Sequence, residues 1–135
     1  MTRFALILLV FVLPGCGFIQ YAPIAAIGDS VTWGYGGRLG GYLWFMEKAS
    51  GLHIANLAIP GERSDQAVLR VRASIQNHAP TSSYVILLHG GNDWQKIFKG
   101  EPCLQSCLPE QVDELYQNVG DNIRNMRNQI KSMGK

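Results

Sequence analysis

The amino-acid sequence predicts a doubly wound α/β fold: a parallel sheet between helical layers, of the three-layer α/β/α, flavodoxin-like kind. Three observations predict it. Strand-length apolar runs alternate with helix-length amphipathic runs, in the order strand, helix, strand, helix, strand, helix. Each of the three strands ends in small or polar residues: Gly28-Asp29-Ser30, Pro60-Gly61, and Gly90-Gly91-Asn92-Asp93. Right-handed crossovers bring all three ends to one side of the sheet, where open α/β sheets bind their ligands.

The N-terminus is set apart from this pattern. Arg3 precedes an unbroken apolar run from Phe4 to Leu13, which is too short to span a bilayer and has the layout of an export signal. It ends in Leu13-Pro14-Gly15-Cys16, which resembles a bacterial lipoprotein cleavage site, although Pro14 stands where a small residue is usual. Residues 1–15 are therefore expected to be a signal peptide and 16–23 a tether. Cys16 would carry lipid at the membrane, and the protein would be exported to the cell envelope. An ordinary secretory signal or a retained anchor is the competing reading. The domain proper is expected over 24–135.

The chain has 135 residues and a net charge of +2, with no basic run. That charge balance argues against a nucleic-acid partner. With Cys16 assigned to lipid, Cys103 and Cys107 remain as a pair for an oxidising compartment, and a disulfide between them is expected. Two thiols without a nearby histidine make a poor metal site.

In chain order, the first strand covers Ile24 to Ile27. Its carboxyl end delivers Asp29 and Ser30 to a turn whose N–H groups can stabilise negative charge, or these two residues simply cap the next helix. The glycines from Gly34 to Gly41 match neither a Walker loop nor a dinucleotide fingerprint, because Leu39 stands where the third glycine belongs. Nucleotide cofactors are thus not expected. A helix over Tyr42 to Ala49 directs Leu43, Phe45 and Met46 inward, and Gly51 stops it. Trp33, Tyr35 and Trp44 fit packing positions better than a pocket.

The second strand runs from His53 to Ile59 and ends at Pro60-Gly61, a forced turn where the backbone can approach a ligand closely. A helix over Gln66 to Asn77 follows, with Ala67, Val68, Val71 and Ile75 on one face and Ser64 or Asp65 as its cap. The third strand, Tyr84 to Leu88, is continuously apolar, as at the centre of a parallel sheet. A loop leads to a last helix, Pro109 to Met133, whose stripe is Val112, Leu115, Val119, Ile123, Met126 and Ile130. Gly120 interrupts it at a cost of about 1 kcal/mol relative to alanine.

The three strand ends together resemble the GDSL, or SGNH, hydrolases. Gly28-Asp29-Ser30-Val31-Thr32-Trp33-Gly34 matches the first block, Asn56 to Glu62 the second, and Gly90-Gly91-Asn92-Asp93 the Gly-x-Asn-Asp block. The resemblance implies a carboxylic-ester hydrolase needing no cofactor or metal. Ser30 would be the nucleophile, and the N–H groups of Ser30 and Gly61 with the Asn92 amide would form the oxyanion hole. Small-molecule, lipid or carbohydrate esters would be substrates. Asp29 and Asp93 read as residues that structure their loops. The family also carries a late Asp-x-x-His and further strands, whereas no histidine follows His89 here. His53 and His78 fall at the wrong edge of the sheet, and His89 fits packing better than catalysis. The sequence therefore reads as the N-terminal part of a longer hydrolase, in which loss of the later strands should turn Tyr84 to Leu88 into an exposed sheet edge. A binding module for acylated sugars or lipids, or a degenerate product, are the other readings.

Overall fold

The computed structural model describes residues 21–98 and 108–135, with side chains described up to residue 95 in the first stretch. The expected signal peptide, Cys16 and the Cys103–Cys107 pair lie outside the described residues. Three strands form one parallel sheet: β1 (Ile24–Gly28), β2 (Ile54–Asn56) and β3 (Tyr84–Leu88), in the order β2-β1-β3. Ile24 pairs with both Ile54 and Tyr84, so the strands start level and their carboxyl ends emerge together. Between and after the strands lie α1 (Ser30–Trp33), α2 (Gly41–Ser50), α3 (Ser64–His78), α4 (Gly91–Phe98) and α5 (Pro109–Ser132).

Side chains alternate across a strand, and β1 shows the consequence directly. Ile27 packs with Ala67, Val71 and Ile75 of α3 and with Met126 and Ile130 of α5. Its neighbour Ala26 points the other way, to Leu43 of α2 and Ile54 of β2. The sheet is therefore sandwiched, with α3 and α5 on one face and α2 on the other. The expected α3 stripe faces the sheet, as does the second half of the α5 stripe, Ile123, Met126 and Ile130, whereas Val112, Leu115 and Val119 are half-buried outside that core.

Several expectations need correction. The apolar run of β3 suits a central strand, but the buried central strand is β1; among the described residues β3 is the exposed edge expected where later strands are lacking, with Tyr84 71% and Leu88 43% exposed. Its apolar run does not make it central, because burial on both sides requires a neighbouring strand, and β3 pairs only with β1 among the described residues. In α2 only Leu43 is buried, while Phe45 and Met46 are exposed. Trp33 and Tyr35 are also exposed rather than packed. The segment after Gly90 is helical, not a loop; Asp93 in the first turn of α4 favours that helix start. β2 is shorter than expected. Hydrogen bonds from Leu57 N–H to the Ala26 carbonyl and from Ile59 N–H to the Gly28 carbonyl nevertheless carry the chain along β1 to the turn at Pro60.

Candidate active site at the strand carboxyl ends

Ser30 is the first residue of α1, directly beyond the end of β1. The turn is sharp because Asp29 stays extended and its Oδ1 accepts the Val31 N–H at 3.0 Å, which caps α1. Capping is thus the work of Asp29, and the Ser30 side chain is left half-exposed. A Cβ on Gly28 would sit 2.1 Å from Thr32 Oγ1, so only glycine lets β1 pass this close to α1. The glycines beyond serve packing as well: a Cβ on Gly34 would meet the Gly40 backbone at 2.4 Å.

The second strand end is a tight turn. Pro60 and Gly61 occupy its centre, Gly61 has a φ of +80°, and the Glu62 N–H closes it on the Ile59 carbonyl at 3.1 Å. These are the features of a type II turn. Nothing lies within 4 Å of where a Gly61 Cβ would stand, and the residues around it line an open depression of about 340 Å³. Glycine is needed here for its dihedral angle, and the space it leaves is open to a ligand.

The third end supplies Asn92 and Asp93 from the first turn of α4. Asn92 Nδ2–H donates to the Glu62 carbonyl at 3.0 Å, which joins the third strand end to the second. The first end is joined to the second by Asn56 Nδ2–H, which donates to the Thr32 carbonyl at 3.3 Å. The first and third also approach each other, with Asp29 Oδ2 3.5 Å from the position of a Gly91 Cβ. The structure therefore brings the expected blocks of Ser30, Gly61 and Asn92 to one end of three adjacent strands.

Asp93 works inward. It is 7% exposed and accepts the Ser64 N–H at 3.0 Å and the Ser64 hydroxyl at 2.8 Å, so it caps α3 from α4. Ser64 in turn accepts from Asn122 Nδ2–H of α5 at 3.0 Å. Neither Ser64 nor Asp65 caps α3 in the expected way. Ser64 is the first helical residue, and Asp65 accepts from the Arg63 guanidinium, which holds its carboxyl below the usual range.

Sequence reasoning missed a buried ionic cluster beneath the Gly61 turn. Glu62 is 6% exposed, and its carboxylate accepts two hydrogen bonds from Arg70, at 2.5 and 2.6 Å. The signal was present: Glu62 and Arg70 are eight residues apart, and Arg70 sits among the apolar positions of α3. His89 completes the cluster. Its side chain is fully buried, with Nε2 3.6 Å from Glu62 Oε2, and neither ring nitrogen has a hydrogen-bond partner. Burial pushes its pKa down, opposed by the carboxylates of Glu62 and Asp29. It makes no bond to Ser30.

The other two histidines are remote. His53 Nδ1 pairs with Glu47 at 2.8 Å just before β2 starts, and His78 ends α3. Among the described residues no group of three or more histidine, cysteine or acidic side chains is placed to hold a metal ion.

A parallel α/β sandwich with a serine turn, a glycine turn and an amide side chain at one sheet end is a doubly wound α/β fold whose candidate site lies where such sheets bind ligands. Comparison makes this specific. Residues 26–134 match the GDSL-like Lipase/Acylhydrolase family, and the chain belongs to that family. No curated protein matches the sequence. Among solved structures, AlinE4, an SGNH-hydrolase family esterase, superposes with a TM-score of 0.59 at 20% identity, covering 84% of this chain and 55% of its own. The psychrotrophic esterase EstA from Pseudoalteromonas sp. gives 0.55 at 20% identity, covering 82% of this chain and 54% of its own. TesA gives 0.57 at 20% identity, with 82% and 55% covered. The chain thus spans about half the length of these structures and shares their fold.

Proposed function

We propose that this chain carries the nucleophile half of a serine-dependent carboxylic-ester hydrolase. Ser30 attacks the ester carbonyl. The N–H groups of Ser30 and Gly61, with the Asn92 amide, hold the oxyanion, each donor being worth about 3 kcal/mol of transition-state stabilisation. The observation that carries this reading is the convergence of the three family blocks at one sheet end, with Asn92 bonded across to Glu62 beside an unobstructed Gly61. Val31, Trp33 and Ile59 are exposed at the same end and favour an ester with an apolar acyl group. In this reading the chain is exported, held to a membrane through lipid on Cys16, and carries a Cys103–Cys107 disulfide.

The general base is the missing part. Buried His89 has no bond to Ser30, so the serine hydroxyl stays protonated and weakly nucleophilic. In a well-dissected serine protease, loss of the histidine costs about 8 kcal/mol. The 135-residue chain by itself is therefore expected to hydrolyse esters very slowly, as a fragment of a complete hydrolase would. The same observation favours a second reading, a binding module for acylated ligands that performs no chemistry.

The test is p-nitrophenyl acetate hydrolysis and fluorophosphonate labelling of the chain beside Ser30→Ala and His89→Ala. Slow labelling confined to Ser30 supports the hydrolase reading. Labelling that survives Ser30→Ala removes it, and acyl-ligand binding without labelling supports the second reading. Rapid turnover abolished by His89→Ala would instead make His89 the base.

A further inference from the structure

The charges of α5 are segregated along its axis. From Leu108 to Asp121 there are four acids, Glu110, Asp113, Glu114 and Asp121, and no lysine or arginine. From Asn122 to Lys135 there are four bases, Arg124, Arg127, Lys131 and Lys135, and no acid. The basic half lies toward the starts of the strands, opposite the candidate active site. Lys135 Nζ donates to the Pro80 carbonyl at 2.9 Å, just before β3, and Arg72 of α3 donates to Ser132 Oγ at 2.6 Å.

The chain enters the domain at this same place. The Ser82 hydroxyl donates to the Ala22 carbonyl at 2.8 Å, and the Ala22 N–H donates to Thr81 Oγ1 at 3.4 Å. Ala22 thus sits beside the Pro80-Thr81-Ser82 segment on which Lys135 rests. Cys16 is six residues from Ala22, a reach of at most about 20 Å.

We propose that this end of the molecule is a docking surface for anionic phospholipid headgroups, formed by Arg72, Arg127, Lys131 and Lys135. Arg127 and Lys131, at i and i+4, share a flank of α5 and are exposed, with no acid partner among the described residues. Arg72 and Lys135 bond to neutral oxygens, the Ser132 hydroxyl and the Pro80 carbonyl, and neither side chain makes an ion pair among the described residues. At the strand-start end Glu47 accepts from His53 and from the Ile54 N–H, whereas Asp29, Glu62 and Asp93 lie at the strand carboxyl ends.

Bases near a helix C-terminus also complement the helix dipole, which accounts for Lys131. That effect is confined to the last turn and does not account for Arg127 or Arg72, each more than a turn from the end of its helix. A headgroup layer beside the entry point accounts for all four. Docked this way, the domain would present Ser30 away from the bilayer. The orientation rests on Cys16 as the attachment point, but headgroup binding does not.

The experiment is flotation of the full chain with vesicles of phosphatidylcholine alone or mixed with phosphatidylglycerol, at low and high salt. The apolar leader contributes to both compositions, so the ratio isolates the electrostatic part. Anionic vesicles are expected to bind the parent more tightly at low salt, and the preference should fall at high salt. The triple variant Arg127→Gln, Lys131→Gln, Lys135→Gln should weaken anionic binding on the order of 100-fold. Lys131→Glu, a single surface exchange, should weaken it about tenfold. Circular dichroism checks that both variants fold. An anionic preference that is absent in the parent, or unchanged in either folded variant, overturns the proposal. So does preferential capture by a short RNA over anionic vesicles. Mass spectrometry of Cys16 reads the lipid separately, so failure of the anchor and failure of the surface are distinguishable.

Discussion

On one face of the sheet Ile27 meets Ala67, Val71 and Ile75 of α3 and Met126 and Ile130 of α5. On the other, Ala26 meets only Leu43 of α2 and Ile54 of β2 among the buried residues. The first face is covered by helices of 15 and 24 residues, the second by one of 10 residues that leaves Phe45 and Met46 exposed. Stability therefore differs across the molecule, and the candidate site straddles the difference. Gly61 and Asn92 belong to the thick side, through Glu62–Arg70, Asp93–Ser64 and Ser64–Asn122. Ser30 belongs to the thin side, where α1 is tied to α2 by the Thr32–Tyr42 hydroxyl bond at 3.1 Å. Gly61 and Asn92 are held by a well-packed core, and Ser30 is carried by a sparser layer.

This contrast can be broken from the thick side first. Ile75→Ala empties a fully buried site between α3 and α5 and is expected to cost about 4 kcal/mol in urea unfolding. Next, Arg70→Met leaves the Glu62 carboxylate buried and unpaired. It is expected to cost about 3 kcal/mol, the low end for such pairs because Arg70 retains some solvent contact. Adding Glu62→Gln to it should recover much of that loss, since the uncompensated charge is gone. On the thin side Leu43→Ala is expected to cost only about 2 kcal/mol, because a sparse layer can collapse into the cavity. Equal losses for Ile75→Ala and Leu43→Ala would remove the distinction between the faces.

The smallest effect concerns pH. Burial depresses the pKa of His89 in the folded chain, so the unfolded chain binds more protons between the depressed value and the ordinary one near 6.5. Stability should therefore fall as pH drops through the ordinary histidine range, and thermal melts should show it. His89→Leu should flatten that dependence. A parent melting temperature that rises on acidification would mean that His89 gains a carboxylate partner on protonation strongly enough to offset burial.

The pattern of the sequence was enough for the fold class, since strand and helix periods are local properties of the chain. It was enough, too, for the positions of Ser30, Gly61 and Asn92, because each block stands just beyond an apolar run of strand length. The α3 stripe and the Ile123, Met126 and Ile130 half of the α5 stripe were legible for the same reason. The basic half of α5 was equally written in the residues, but its closeness to Ala22 was not.

Tertiary structure decided what depends on neighbours. Tyr84 to Leu88 has the composition of a central strand, yet it is an edge among the described residues, because exposure depends on what pairs beside it. Phe45 and Met46 follow helical spacing, yet α2 has too little opposite it to bury them. The buried Glu62, Arg70 and His89 were invisible as a cluster, since they come from a turn, a helix and a strand end that meet only after folding. Ser64 was read as a cap from its type alone; the cap of α3 is Asp93, contributed by another helix 29 residues away in sequence. Periodicity and turn chemistry are determined residue by residue along the chain, whereas burial, ion pairing and cross-chain capping depend on which segments the fold sets side by side.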